Sequence, residues 1–171
     1  MWNDLPSSAP TNCGAAWSPS GDRIAFHSDR RTRGVMSLTN DEARDNLAKW
    51  SPQGQTIVFD SRRSKHWEVL SMNVDGVNQH VLAVGAVPVF SHAGDWILYQ
   101  SSPTPEATNF FLMKPDGSGA RQLTMGNHSD NSASFSPDDK HIVFCSNRGG
   151  SFDLYRMSLE RLDVNQLTQG R

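Results

Sequence analysis

Apolar and polar positions along the chain recur in four similar units, and internal repetition of this kind governs every later reading of a fold. Each unit opens on an aromatic residue followed by a polar turn: Ala16-Trp17-Ser18-Pro19-Ser20-Gly21, Lys49-Trp50-Ser51-Pro52-Gln53-Gly54, Val89-Phe90-Ser91-His92-Ala93-Gly94 and Ser134-Phe135-Ser136-Pro137-Asp138-Asp139. An isoleucine comes three residues after the turn (Ile24, Ile57, Ile97, Ile142) and an aromatic two residues later (Phe26, Phe59, Tyr99, Phe144). A serine then closes the pattern at Ser28, Ser61, Ser101 and Ser146.

The pattern predicts strands joined by tight turns. Ser-Pro-x-Gly suits a type I turn, with Pro presetting φ and Gly free to turn left-handed. Asp139 stands where the other units have Gly, and Asp enters the left-handed region more readily than most residues. Ile57-Val58-Phe59 and Ile142-Val143-Phe144 are apolar at consecutive positions, which predicts strands covered on both faces. A third strand is expected at Val69-Leu70-Ser71-Met72, Phe110-Phe111-Leu112-Met113 and Leu154-Tyr155-Arg156-Met157. Asp75-Gly76 and Asp116-Gly117 then signal hairpins, and a fourth strand is expected at Val81-Leu82, Leu123-Thr124 and Leu167-Thr168. Four strands in a unit of roughly 40 residues is the arithmetic of a propeller blade. No segment carries a sustained helical period.

Residues 15–39, 48–82, 88–124 and 133–168 together resemble the TolB-type repeat, a relative of the WD repeat. The resemblance implies an all-β propeller of four consecutive four-stranded blades, with the first strand of each blade lining a central channel. It covers nearly the whole chain, read as a single propeller domain or propeller fragment over 1–171, with blade cores near 12–39, 46–82, 86–124 and 131–168.

Spacing locates two irregularities. The opening aromatic precedes the third-strand methionine by 22, 23 and 22 residues in the last three units, but by 19 from Trp17 to Met36. The next leucine follows that methionine by 10 residues in those units, but Leu38 follows Met36 by only 2. Blade 1 is therefore expected to be truncated, lacking its outer hairpin and keeping about three strands. Leu5 precedes Trp17 by 12 residues, as Leu38 precedes Trp50 and Leu123 precedes Phe135. Leu5 thus falls where a preceding blade would end, pointing to an open arc of a larger propeller that associates with itself through its end faces.

Composition excludes several classes. A net charge of -2 argues against a nucleic-acid partner, and no apolar run is long enough for membrane insertion by a helix. The opening Met1-Trp2-Asn3-Asp4-Leu5-Pro6 has no signal-peptide character, which suits a cytoplasmic protein, or a periplasmic or secreted one if the chain is part of a longer whole. Cys13 and Cys145 match no metal-ligand spacing; they pair only if blades 1 and 4 meet. The six histidines, His27, His66, His80, His92, His128 and His141, do not converge. No metal, cofactor or catalytic constellation is expected.

Binding is expected at the loops between blades, which share one mouth of the channel with the loops joining second and third strands. Candidate ligand-binding residues are Arg44, Asp45 and Asn46 in one such loop and Asn127, His128, Asp130 and Asn131 in another. Turn formation explains the same residue types. Arg30, Arg31, Arg33, Arg62, Arg63, Lys65 and His66 could form an anion patch, but pairing with nearby aspartates is the simpler expectation. The functional reading is a noncatalytic binding scaffold for a protein, peptide or small ligand. The alternatives are the propeller of a prolyl-oligopeptidase-like peptidase or a propeller polysaccharide lyase.

Overall fold

The serine that opens each turn closes a small hydrogen-bonded ring. Gly21, Gly54, Gly94 and Asp139 each donate their amide to the carbonyl of the serine three residues earlier, at 2.8–3.0 Å. All four turn left-handed, with φ from +55° at Asp139 to +82° at Gly94. The serine hydroxyls of Ser18, Ser51, Ser91 and Ser136 then accept the amide five residues on, at 3.0 or 3.1 Å. That bond locks the start of the second strand onto the end of the first.

The chain is described by a computed structural model for residues 12–28, 34–40, 42–104 and 107–169. Its strands form four antiparallel sheets in chain order. Blade 1 holds β1 (Asn12–Trp17) and β2 (Ile24–Ser28). Blade 2 holds β3 (Asp45–Trp50), β4 (Thr56–Ser61), β5 (Glu68–Asn73) and β6 (His80–Val84). Blade 3 holds β7 (Ala86–Phe90), β8 (Ile97–Thr104), β9 (Ala107–Met113) and β10 (Arg121–Gln122). Blade 4 holds β11 (Asp130–Phe135), β12 (His141–Ser146), β13 (Asp153–Ser158) and β14 (Val164–Gln166). The described residues contain no helix. The inner strand β3 lies against both β1 and β7, the first strands of the neighbouring blades.

Three apolar layers hold the blades together, one at each interface. Ala25 of blade 1 meets Ile57, Phe59, Leu70 and Met72 of blade 2. Val58 and Val69 of blade 2 meet Ile97, Tyr99 and Met113 of blade 3. Leu98, Phe110 and Leu112 of blade 3 meet Phe135, Ile142, Phe144, Tyr155 and Met157 of blade 4. Each such side chain, fully buried, contributes roughly 1.5–3 kcal/mol.

Among the described residues the outer faces of the first and last blades have no such partner, and the sheets form an open arc. Val143 and Leu154 of blade 4 are 37% and 41% exposed, whereas Val58 and Val69, at the same repeat positions in blade 2, are both 0% exposed. At the other end Trp17 and Ile24 are exposed, while Ile57, Ile97 and Ile142 are sealed. The expectation that Ile142-Val143-Phe144 is covered on both sides thus holds for Ile142 and Phe144 and fails for Val143, because no blade follows it among the described residues.

Blade 1 is truncated, and two strands lie among its described residues. Residues 34–40 are not a strand, and Met36 stands exposed to solvent. Leu38 nevertheless keeps the role of its repeat position. It packs on the blade 2 core, as Leu82 packs on that of blade 3, and its carbonyl accepts the Gln79 side-chain amide at 2.9 Å. In blades 3 and 4 the expected Leu-Thr pairs lie just past β10 and β14, where Thr124 and Thr168 hydroxyls accept the amides of Phe110 and Leu154. Leu5 lies outside the described residues.

Candidate functional site

Every inner strand carries the same irregularity. The pairing register of β1, β3, β7 and β11 slips by one residue, three positions before the aromatic that ends each strand. The extra residue is Gly14, Leu47, Val87 or Ser132, at φ +62°, +49°, +55° and +55°. Such bulges re-aim side chains and redirect backbone amides. A β-branched residue at positive φ is a true outlier, and Val87 is held there by a bond from outside its blade: its amide donates to Asp60 Oδ2 at 2.9 Å.

Asp60, the penultimate residue of β4, is 3% exposed. Its Oδ1 has no hydrogen-bond partner, and neither do the buried Asp45 Oδ1, His27 Nδ1 and Ser61 Oγ close by in the repeat. Burial pushes the Asp60 carboxyl above the ordinary aspartate range; the Val87 amide, the His27 ring and the Asn46 side chain oppose this shift, and the Asp45 carboxylate adds to it. His27, Asp45 and Asn46 line a cavity of about 830 Å³ that runs outward between β2 and the face of blade 2.

The two candidate loops occupy one repeat position, with Asp45 and Asp130 each five residues before the aromatic that closes its strand. Each carboxylate meets an arginine from the loop after the second strand: Arg63 lies 3.8 Å from Asp45, and Arg148 2.9 Å from Asp130. Each arginine also covers the aromatic of its own second strand, Arg63 over Phe59 at 5.6 Å and Arg148 over Phe144 at 5.0 Å. Arg148 Nη2 lies 3.2 Å from His128 Nε2 as well. Asp130 is wholly buried, so it holds Arg148 rather than presenting itself to a ligand. Asn127 and Arg44 are exposed, and Asn46 and Asn131 are half-buried. Blade 3 separates the two loops, and no hydrogen bond or ion pair joins them among the described residues. Arg30, Arg31 and Arg33 of the suggested anion patch lie outside the described residues; Arg63 is bound to Asp45 and to Gln79.

Sequence reasoning missed His27 and Asp60 as site residues. Asp60 was visible as the one acidic residue inside an otherwise apolar second strand, a placement that needs a partner.

No family model matches the chain, and no curated protein matches it in sequence. Solved structures match its fold. A structure from Agrobacterium tumefaciens assigned as TolB is 17% identical with a TM-score of 0.79, over 94% of this chain and 62% of that one. An oligogalacturonate lyase in complex with manganese is 16% identical with a TM-score of 0.71, over 91% of this chain and 52% of its own. A prolyl endopeptidase structure is 10% identical with a TM-score of 0.67, over 95% of this chain and 29% of its own. The chain thus has a TolB-like β-propeller fold and spans less than two thirds of each of these proteins.

Proposed function

We propose that the chain is a noncatalytic binding scaffold that holds a donor-rich ligand, such as a basic peptide or protein segment, at the channel-side ends of its inner strands. The observation that carries this reading is the pair of buried carboxylate oxygens, Asp45 Oδ1 and Asp60 Oδ1, that lack a donor. A buried acceptor without a partner is costly, and an incoming N–H or ammonium group relieves that cost. The exposed Arg44 and half-buried Asn46 adjoin Asp45 in the chain, and the exposed Asn127 and half-buried Asn131 belong to the corresponding loop of blade 4. His128, held against Arg148 and Asp130, lies in that blade 4 loop. The peptidase and lyase readings rest on likeness of fold alone, and fold does not carry function.

Calorimetric titration with a lysine-rich peptide and its acetylated counterpart tests the reading. The charged peptide binds, the acetylated one binds weakly, and Asp45→Asn lowers affinity by about tenfold, a loss of one charge-assisted hydrogen bond. If Asp45→Asn and Asp60→Asn both bind normally while a change at Asp116 in the outer hairpin abolishes binding, the ligand sits on the opposite face.

A further inference from the structure

In blades 2, 3 and 4 the outer edge of the second strand is paired with a third: β5 on β4, β9 on β8 and β13 on β12. In blade 1 the matching edge of β2, from Ile24 to His27, has no strand beside it among the described residues. The space is walled instead. The cavity of about 830 Å³ has β2 on one side, residues 34–40 on the other, and Phe59, Met72 and Val74 of blade 2 as its floor. Leu38 stands at the far wall in the position of an outer-strand leucine, packed on the same floor. Both elements that flank a third strand elsewhere are therefore in place, and among the described residues no strand lies between them.

We propose that blade 1 takes an extended peptide as its third strand, antiparallel to β2, with apolar side chains at alternate positions turned toward blade 2. An unpaired strand edge is a template for such addition, with main-chain bonds supplying affinity and alternate side-chain pockets supplying specificity.

The repeat itself specifies the chemistry of the occupant. At the interface of blades 3 and 4, Phe110 and Leu112 of β9 pack into the cluster containing Phe144, Tyr155 and Met157, with the Phe110 ring 5.3 Å from that of Phe144. Phe59, Leu70 and Met72 hold those same repeat positions in blade 2 and form the surface that faces blade 1. In β8 the partners of Phe110 and Leu112 are Gln100 and Leu98, which correspond to His27 and Ala25 in β2. The ligand thus places an aromatic residue opposite His27 and an aliphatic one opposite Ala25. Ala25 is smaller than the Val58, Leu98 or Val143 of the other blades, leaving room for a bulky incoming side chain. Arg63 over Phe59 leaves this groove open, because Arg148 sits the same way over Phe144 with β9 already seated.

The test uses the full chain and a dye-labelled peptide copying residues 107–113, with Phe111→Thr and Met113→Thr on the face turned away from blade 2. Fluorescence anisotropy is expected to give saturable binding. N-methylation of the alternate amides on one edge weakens it about tenfold or more, while methylation of the other edge has little effect. Phe110→Ser in the peptide also weakens it. Absence of saturation at roughly 1 mM peptide overturns the proposal, as does equal sensitivity to both methylation patterns. Loss of binding on Val143→Lys in the protein assigns the peptide to the exposed face of blade 4 and defeats the proposal. A protein that self-associates and excludes the peptide at every dilution assigns the groove to a second copy, which overturns the proposal as well.

Discussion

The Asp60 carboxylate of blade 2 accepts the backbone amide of Val87 in blade 3 at 2.9 Å, across the boundary between two sheets. One carboxylate oxygen thereby helps hold a valine in the left-handed region, φ +55°, while the other oxygen is buried without a partner. Strain and unsatisfied polarity of this kind gather at functional sites.

Burial raises the pKa of Asp60, and the sign of the resulting pH dependence follows. The folded state holds the proton more tightly than the unfolded state, so folding stability is greatest below the ordinary aspartate range and falls as pH rises through the raised folded value. Asp60→Asn is expected to be more stable than the parent at pH 7, the gap closing as pH drops below the ordinary range. Urea unfolding at several pH values measures it; a variant less stable at pH 7, with an unchanged pH profile, counts against the buried-charge account.

Phe144 is fully buried and contacts the rings of Phe110 at 5.3 Å and Tyr155 at 6.0 Å. Phe144→Ala is expected to cost about 3–5 kcal/mol by chemical denaturation. A cost below about 1 kcal/mol would mean that the interface of blades 3 and 4 is not formed in solution.

Asp130→Ala and His128→Ala are expected to part company. Removing the Asp130 carboxylate leaves Arg148 without its 2.9 Å partner, and breaking a buried pair on one side is strongly destabilising. His128 sits at the edge of that pair, with 16% of its side chain exposed, and its loss should alter ligand affinity with little change in thermal midpoint. Calorimetric melts of both variants distinguish them; equal midpoints would mean that Arg148 finds other partners.

The exposed end faces lead us to propose self-association. Trp17 is 66% exposed at one end and Leu154 41% at the other, whereas exposed apolar patches on soluble monomers are usually small. Light scattering coupled to size-exclusion chromatography is expected to give a mass that rises with concentration. Val143→Lys with Leu154→Lys should lower that mass without lowering the melting temperature. A monomer of 18.9 kDa at every concentration would show that these faces do not pair.

Much of the architecture was legible because its signals are local. Ser-Pro-x-Gly states a turn, and all four serines make the same pair of turn bonds, including the one before Asp139. The truncation of blade 1 was legible in the short interval from Trp17 to Leu38, although the lack of a strand over residues 34–40 was not, since Met36 looks like the methionines that sit in strands elsewhere. The bulge was hidden for a similar reason. Gly14 suggests a left-handed residue, but Leu47, Val87 and Ser132 adopt the same conformation with no sequence sign of it. In blade 3 the amide at the bulge bonds to a carboxylate of the preceding blade.

By itself the sequence determined the repeat, its turns and the core face of each strand, because alternation and turn chemistry act over a few neighbouring residues. Only the tertiary structure decided which of two identical Ile-Val-Phe segments is sealed on both sides. Val58 is buried and Val143 exposed, since burial of a blade's outer face depends on the next blade, and no residue within the strand encodes whether that neighbour is present. The same holds for the rim: Asp45 and Asp60 neighbour each other within blade 2, but His27 joins them only when blade 1 stacks on blade 2, and stacking is what withdraws their polar atoms from water.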